Sequence, residues 1–258
     1  MGEGDQYRAT LRRLEDWGPY LAANSHLPGP RANLELVAAC GEEADLARAE
    51  GLIAGGDEFA TVCGLVALGR YFGAGDDRPA EVLHGLAADD RWRVREGVAM
   101  ALQRACDADL ERGFALAELW ALDFDPLARR AAVAAVCEPR LLRDPGFAGR
   151  ALALLARVTA ELARVPPRDR GSAPVRTLRQ ALGYGWSVAV AASPKQGLPL
   201  FRGLEASPDP DIGWIVRENR KKARLRRVLL DWEGSTGGVT TAPPSPPGGA
   251  GRGRPAPG

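Results

Sequence analysis

Two short phrases of this chain bring together side chains that could do chemistry. Trp92 and Glu96 lie four residues apart in W-R-V-R-E, and Trp214 and Glu218 repeat that spacing in W-I-V-R-E. Residues at i and i+4 share one face of a helix, so each phrase sets an indole beside a carboxylate. An indole offers a platform for a base or a peptide side chain, and Arg95 and Arg217 add a guanidinium fork. The same ring can instead seal a junction between stacked helices, with its N–H bonded to a neighbouring carbonyl. Recurrence at matching places favours the sealing role, with ligand contact as the alternative.

A second chemical feature is the cation run Arg217, Arg220, Lys221, Lys222, Arg224, Arg226 and Arg227, relieved by Glu218. Toward the end of a helix such cations complement exposed carbonyls. The rival role is a phosphate-contacting patch, whose affinity would fall steeply with salt. The two glycines of L-G-Y-G-W-S-V (Leu182 to Val188) call for close packing against a neighbouring helix, and Tyr184 or Trp186 could meet a ligand there. His26 and His84 lack a second ligand at metal spacing. No nucleophile elbow or phosphate-binding glycine loop follows a strand. Catalysis is therefore not the expected role, and no cofactor or metal is called for.

These side chains must be positioned by helices. In Arg91 to Ala105, Val94, Val98, Ala101, Leu102 and Ala105 form one apolar stripe. Aspartates stand where helices should begin: Asp57, Asp89 or Asp90, Asp123 or Asp125, and Asp209 or Asp211. Pro126 suits a first turn. The two tryptophan phrases are 122 residues apart (214 − 92), or about three repeats of roughly forty residues. Aligning Arg95, Arg129, Arg176 and Arg217 gives spacings of 34, 47 and 41. Candidate first helices at 78–87, 110–122, 147–165 and 197–206 fall between them. An earlier unit, Arg31 to Arg70, carries Cys63 at the arginine position. The expectation is an all-α solenoid of about five helix pairs over residues 1–233, with joints at 73–79, 166–174 and 207–210.

From Gly234 to Gly258 the chain is rich in glycine and proline and poor in apolar residues, which predicts a disordered tail. Its P-P-S-P-P serves first as a spacer; docking as a polyproline helix in an aromatic groove is the alternative. Net charge is +1, so no overall field draws the protein to nucleic acid or anionic lipid. Cys40, Cys63, Cys106 and Cys137 are widely spaced among apolar residues. They are expected to be reduced core residues, with a disulfide or metal ligation as the other possibilities. No apolar run reaches the ~18 residues that a membrane span needs, and no signal core opens the chain. A cytoplasmic protein is expected.

The phrase from Asp89 to Ala99, D-D-R-W-R-V-R-E-G-V-A, resembles the start of the second helix of HEAT repeats. Leu27 to Leu36, Cys137 to Leu142 and Leu182 to Val188 are similar to segments of uncharacterised bacterial HEAT-repeat proteins. The resemblance covers roughly Arg31 to Asp231. It implies a scaffold or adaptor that binds a protein or peptide partner on its concave row of second helices, at Trp92, Arg95, Trp214 and Arg217, with Glu96, Arg220 and Lys221 beside them. It further implies a carboxylate–guanidinium ladder between repeats, at Asp90, Arg95, Asp125, Arg129, Arg176, Asp211 and Arg217. A more distant resemblance is to the HEAT-like DNA alkylation repair glycosylases, carried by Trp92 with Glu96 and Trp214 with Glu218. It would imply a nucleic-acid partner, though that family's doubled tryptophan followed by aspartate has no counterpart here.

Overall fold

The computed structural model describes residues 2–236. Among them the chain forms α-helices and no strand. The helices are α1 (Glu3–Leu11), α2 (Gly18–Asn24), α3 (Leu34–Glu43), α4 (Leu46–Ala54), α5 (Glu58–Gly73), α6 (Pro79–Leu86) and α7 (Trp92–Ala108), then α8 (Leu110–Trp120), α9 (Pro126–Val136), α10 (Pro145–Arg164), α11 (Ala173–Ala192), α12 (Pro194–Glu205), α13 (Pro210–Arg220) and α14 (Ala223–Thr236).

Short polar side chains set half of the starts. Asp45, Asp57, Asp109, Asp125, Asp144 and Asp209, together with Asn33, each accept a hydrogen bond from a free amide of the following first turn. Proline opens α6, α9, α10, α11, α12 and α13, where its missing N–H costs nothing. α7 differs from the expectation. Its cap is Arg91, with no side-chain cap bond, and Asp89 instead accepts from the Arg91 amide at 2.8 Å.

The helices α5, α7, α9, α11 and α13 pack each against the next, while α4, α6, α8 and α12 lie beside the helix that follows each and α10 lies against both α9 and α11. The joints at 73–79, 166–174 and 207–210 fall between elements as expected. The first unit is richer than a pair: Arg31 to Arg70 holds α3, α4 and most of α5, with α1 and α2 ahead of it. α14 continues through Gly234 to Thr236, past the expected start of the tail. The rest of the expected tail, 237–258, lies outside the described residues.

Close approach of backbones decides where glycine stands on α5. A Cβ on Gly69 would sit 2.0 Å from the Ala101 carbonyl oxygen, and one on Gly73 would sit 2.6 Å from that of Ala105. The core runs continuously through these seams, with Leu65, Leu102, Phe114, Leu155, Trp186 and Phe201 fully buried. Trp186, a possible ligand contact from sequence, is at 0% exposure and donates its indole N–H to Thr159 Oγ1 at 3.1 Å. All four cysteines are buried and unpaired. Burial pushes the Cys106 and Cys137 thiols up to about 12 and that of Cys63 well above its ordinary value. These thiols stay protonated at neutral pH and pack as small hydrophobes.

Carboxylate–guanidinium contacts do join successive units, and of the expected ladder Asp211 takes part, but its partner and the other pairs are different residues. Arg112 meets Asp77, Arg130 meets Glu96, Arg150 meets Glu118 and Arg179 meets Asp211, at separations of 32 to 35 residues. Arg95 and Arg176 turn back instead to carbonyls of the loop that precedes their own helix. Asp125 is spent on its cap, and the Arg129 Nε is buried without a hydrogen-bond partner. The arginine aligned as the fourth member, Arg217, is out of register. Arg95, Arg129 and Arg176 stand four residues after their caps Arg91, Asp125 and Ser172, whereas Arg217 stands eight after Asp209.

Candidate functional site

The loop before α7 is clamped, and the clamp presents Trp92. Asp89 takes both the Nε and Nη2 of Arg91, at 2.9 and 2.8 Å, in a bidentate pair. Arg91 Nη1 reaches on to the Gly56 carbonyl at 2.7 Å, tying the loop to the α4–α5 turn. Arg95 Nη1 donates to the carbonyls of Asp89 and Asp90 at 2.6 and 2.9 Å. Arg95 therefore borders the site while its fork holds the loop that precedes it.

The pairing with Arg91 holds the Asp89 carboxyl below the usual aspartate range. A lowered folded-state value means that this contribution is complete above the ordinary value of about 3.9 and fades as pH falls through the folded-state value. Acid titration of the folded protein should therefore loosen this loop, and Asp89→Asn should remove that part of the acid response. The check is the urea midpoint of both proteins between pH 6 and pH 3. Parallel pH curves would refute a role for the clamp.

Trp92 opens α7 and is 52% exposed. Arg93 stacks on it, with its guanidinium carbon 4.6 Å from the ring centroid. Arg93 also bonds Glu58 at 3.2 Å and the Gly29 carbonyl at 3.1 Å, so the support under the ring is itself fixed. On one side of the indole lies a groove of about 510 Å³ across α7, α9 and α11, bordered by Trp92, Glu96, Gln103, Arg130, Gln180 and Tyr184. On its other side an apolar recess of about 360 Å³ is formed by Pro30, Leu34, Phe59, Val62 and Met100. Trp92 is thus the wall between a mixed polar groove and an oily pocket.

The groove floor is rigid. Arg130 is only 8% exposed; it donates to the Arg95 carbonyl at 2.9 Å and pairs with Glu96. Gln103 Nε2 donates to the Ala134 carbonyl at 3.2 Å. Both bonds stitch α7 to α9, and they leave the floor with balanced charge. At the far end Tyr184, 43% exposed, accepts a bond from Arg224 Nη2 at 2.8 Å. Arg224 and Lys222 also stand over its ring, at 5.0 and 5.5 Å from the centroid. Two members of the cation run therefore reach the groove rim, Lys222 from the α13–α14 turn and Arg224 from the first turn of α14.

The remaining sequence candidates are elsewhere. Trp214 is the fifth residue of α13, not the first, and does not border the groove. Its ring lies against Gly183, where a Cβ would come within 2.7 Å, and Arg179 stacks on it at 4.9 Å. It seals α11 against α13. Arg217 is exposed on α13; Arg220 is held by Glu205 at 2.6 Å and Lys221 pairs with Glu218. The displacement follows from capping: Asp209 and Pro210 start α13 one turn earlier relative to its W-x-V-R-E than α7 starts relative to its own. Arg130, Gln103 and Arg93 had no marker in sequence, since their value depends on which helix each one faces. Among the described residues no group of three or more histidine, cysteine or acidic side chains is placed to hold a metal ion. No described helix is long and apolar enough to cross a membrane.

No protein-family model matches this chain, and no curated protein matches it. Among solved structures it is similar to an engineered protein determined as a structural-genomics target, at 16% identity and a TM-score of 0.36, over 89% of this chain and 98% of that one.

Proposed function

We propose that this chain is a HEAT-like α-solenoid that acts as a non-catalytic scaffold or adaptor, holding an extended segment of a protein partner across α7, α9 and α11. The succession α5, α7, α9, α11, α13 and the ion pairs that recur at nearly one repeat length support the solenoid reading. One observation carries the binding reading: Trp92 is half exposed at the start of α7, next to a clamped loop, between a groove with amide and guanidinium groups and an apolar recess. A large aromatic fixed before its partner arrives gives contact area at little entropic cost. The recess suits one apolar anchor side chain, and the groove suits the backbone on either side of it.

The test is selection of unstructured peptides from a displayed library on the full chain, then titration of the winners. Trp92→Ala should weaken them by about 30-fold or more, the effect of losing roughly 2 kcal/mol at an aromatic anchor. The melting temperature should barely move. Equal affinity for both proteins would remove the site. The nucleic-acid alternative has the exposed Arg217, Arg226 and Arg227 behind it, and these lie outside the groove. Duplex DNA as competitor at low salt separates the two readings, because only a phosphate contact disappears as salt is raised.

A further inference from the structure

We propose that the groove between Trp92 and Tyr184 takes polyproline-type segments, and that its resident occupant is this chain's own A-P-P-S-P-P, residues 242–247. The inference rests on the peptide-binding reading above. It adds the chemical class and the source.

The chemistry of the groove matches a chain of that kind. A polyproline helix has no internal hydrogen bonds, so its carbonyls seek donors while its rings lie on aromatic faces. Trp92 and Tyr184 are the aromatic residues that border the groove while exposed to solvent, at 52% and 43%. The indole N–H of Trp92 and the amide of the exposed Gln180 are donor groups at the same surface. The neighbouring Ala99, Ala134 and Ala181 keep the floor shallow enough for a backbone to lie close. Crossing from α7 over α9 to α11 covers two helix spacings, about 16–20 Å. Six residues of polyproline helix span about 19 Å.

The reach also matches. Arg224, near the start of α14, is bonded to the Tyr184 hydroxyl, so this end of α14 sits at the groove rim. From Arg224 to the last residue of α14, Thr236, is 12 residues (236 − 224), a rise of about 18 Å. Residues 237–242 can span about 20 Å when extended. A segment of this length can therefore bring Ala242 back to the Arg224 end of α14, at the groove rim, with the prolines next in line to cross toward Trp92. A tether this short gives an effective concentration of order millimolar, enough to occupy a groove of modest affinity.

The experiment uses the full chain, with the Trp92 indole N–H resonance assigned through Trp92→Phe. In a second full chain Pro243, Pro244, Pro246 and Pro247 are all changed to glycine. The Trp92 resonance is expected to move on that change. A synthetic peptide of residues 239–248 should then return it toward the original position. The same peptide should bind the unaltered chain about 10-fold more weakly, because the tethered copy competes. An indole resonance indifferent to the proline changes overturns the proposal, as does a shift that fades on dilution, which would place a second copy's segment in the groove. If library peptides bind through Trp92 while the 239–248 peptide does not, the proline assignment falls and the peptide groove stands. If neither binds, both fall.

Discussion

Replacing Asn219 by leucine should lower the melting temperature by about 5–15 °C, far more than any change at the exposed cations around it. Asn219 is at 0% exposure on α13 and its side chain serves α11. Its Oδ1 accepts from the Ser187 amide at 2.7 Å, and its Nδ2 donates to the Leu182 carbonyl at 2.9 Å and to the Ile215 carbonyl at 2.8 Å. Leucine keeps the volume and removes all three bonds. The Ser187 N–H and Leu182 C=O would then be left in a dry seam, at about 1–3 kcal/mol for each unmet group. The sum of about 2–6 kcal/mol converts at about 2–4 °C per kcal/mol for a protein of this size. Calorimetry of the two proteins checks it, and a fall below 2 °C would mean that α11 closes the bonds by itself. Asn219→Asp should be harmful as well, since it keeps the acceptor, loses the donor and buries a charge.

The same stretch shows what sequence could and could not convey. The two glycines of L-G-Y-G-W-S pointed to close packing, and the reason is now specific. Gly183 makes room for the Trp214 ring on one side, and Gly185 makes room for Cys137 and Leu155 on the other. Asn219, by contrast, sits within R-E-N-R and reads as one more solvated polar residue. Only the register between α11 and α13 makes it a clasp. Helix starts were legible because a cap is local: Asp57, Asp125 and Asp209 act within three residues of themselves. Ladder partners were not, because an arginine six bonds long chooses its carboxylate by the offset between neighbouring helices. The two W-x-V-R-E phrases mislead for the same reason. Identical words begin at the first residue of α7 and the fifth of α13, so one indole faces a groove while the other is pressed against a neighbour.

Alanine at Gly69 is the second large effect, and its sign is a contest between local preference and packing. In a helix interior alanine is favoured over glycine by about 1 kcal/mol. At Gly51, in α4, no atom lies within 4 Å of an added Cβ, so Gly51→Ala should raise stability by up to about 1 kcal/mol. At Gly69 the added carbon would meet the Ala101 carbonyl oxygen at 2.0 Å, its carbon at 2.7 Å and its Cα at 2.8 Å. These are backbone atoms of α7 and cannot rotate away as a side chain end can. Overpacking against fixed atoms costs about 1–3 kcal/mol and sometimes more, and this contact lies at the severe end. The net loss should be about 2–4 kcal/mol, with opposite signs for the two glycines in the same urea titration. A stabilising Gly69→Ala would show that α5 and α7 are free to move apart. Because α7 also carries Trp92 and Glu96, a spreading seam would widen the groove and the apolar recess together, so Gly69→Ala should weaken selected peptides although it touches none of them.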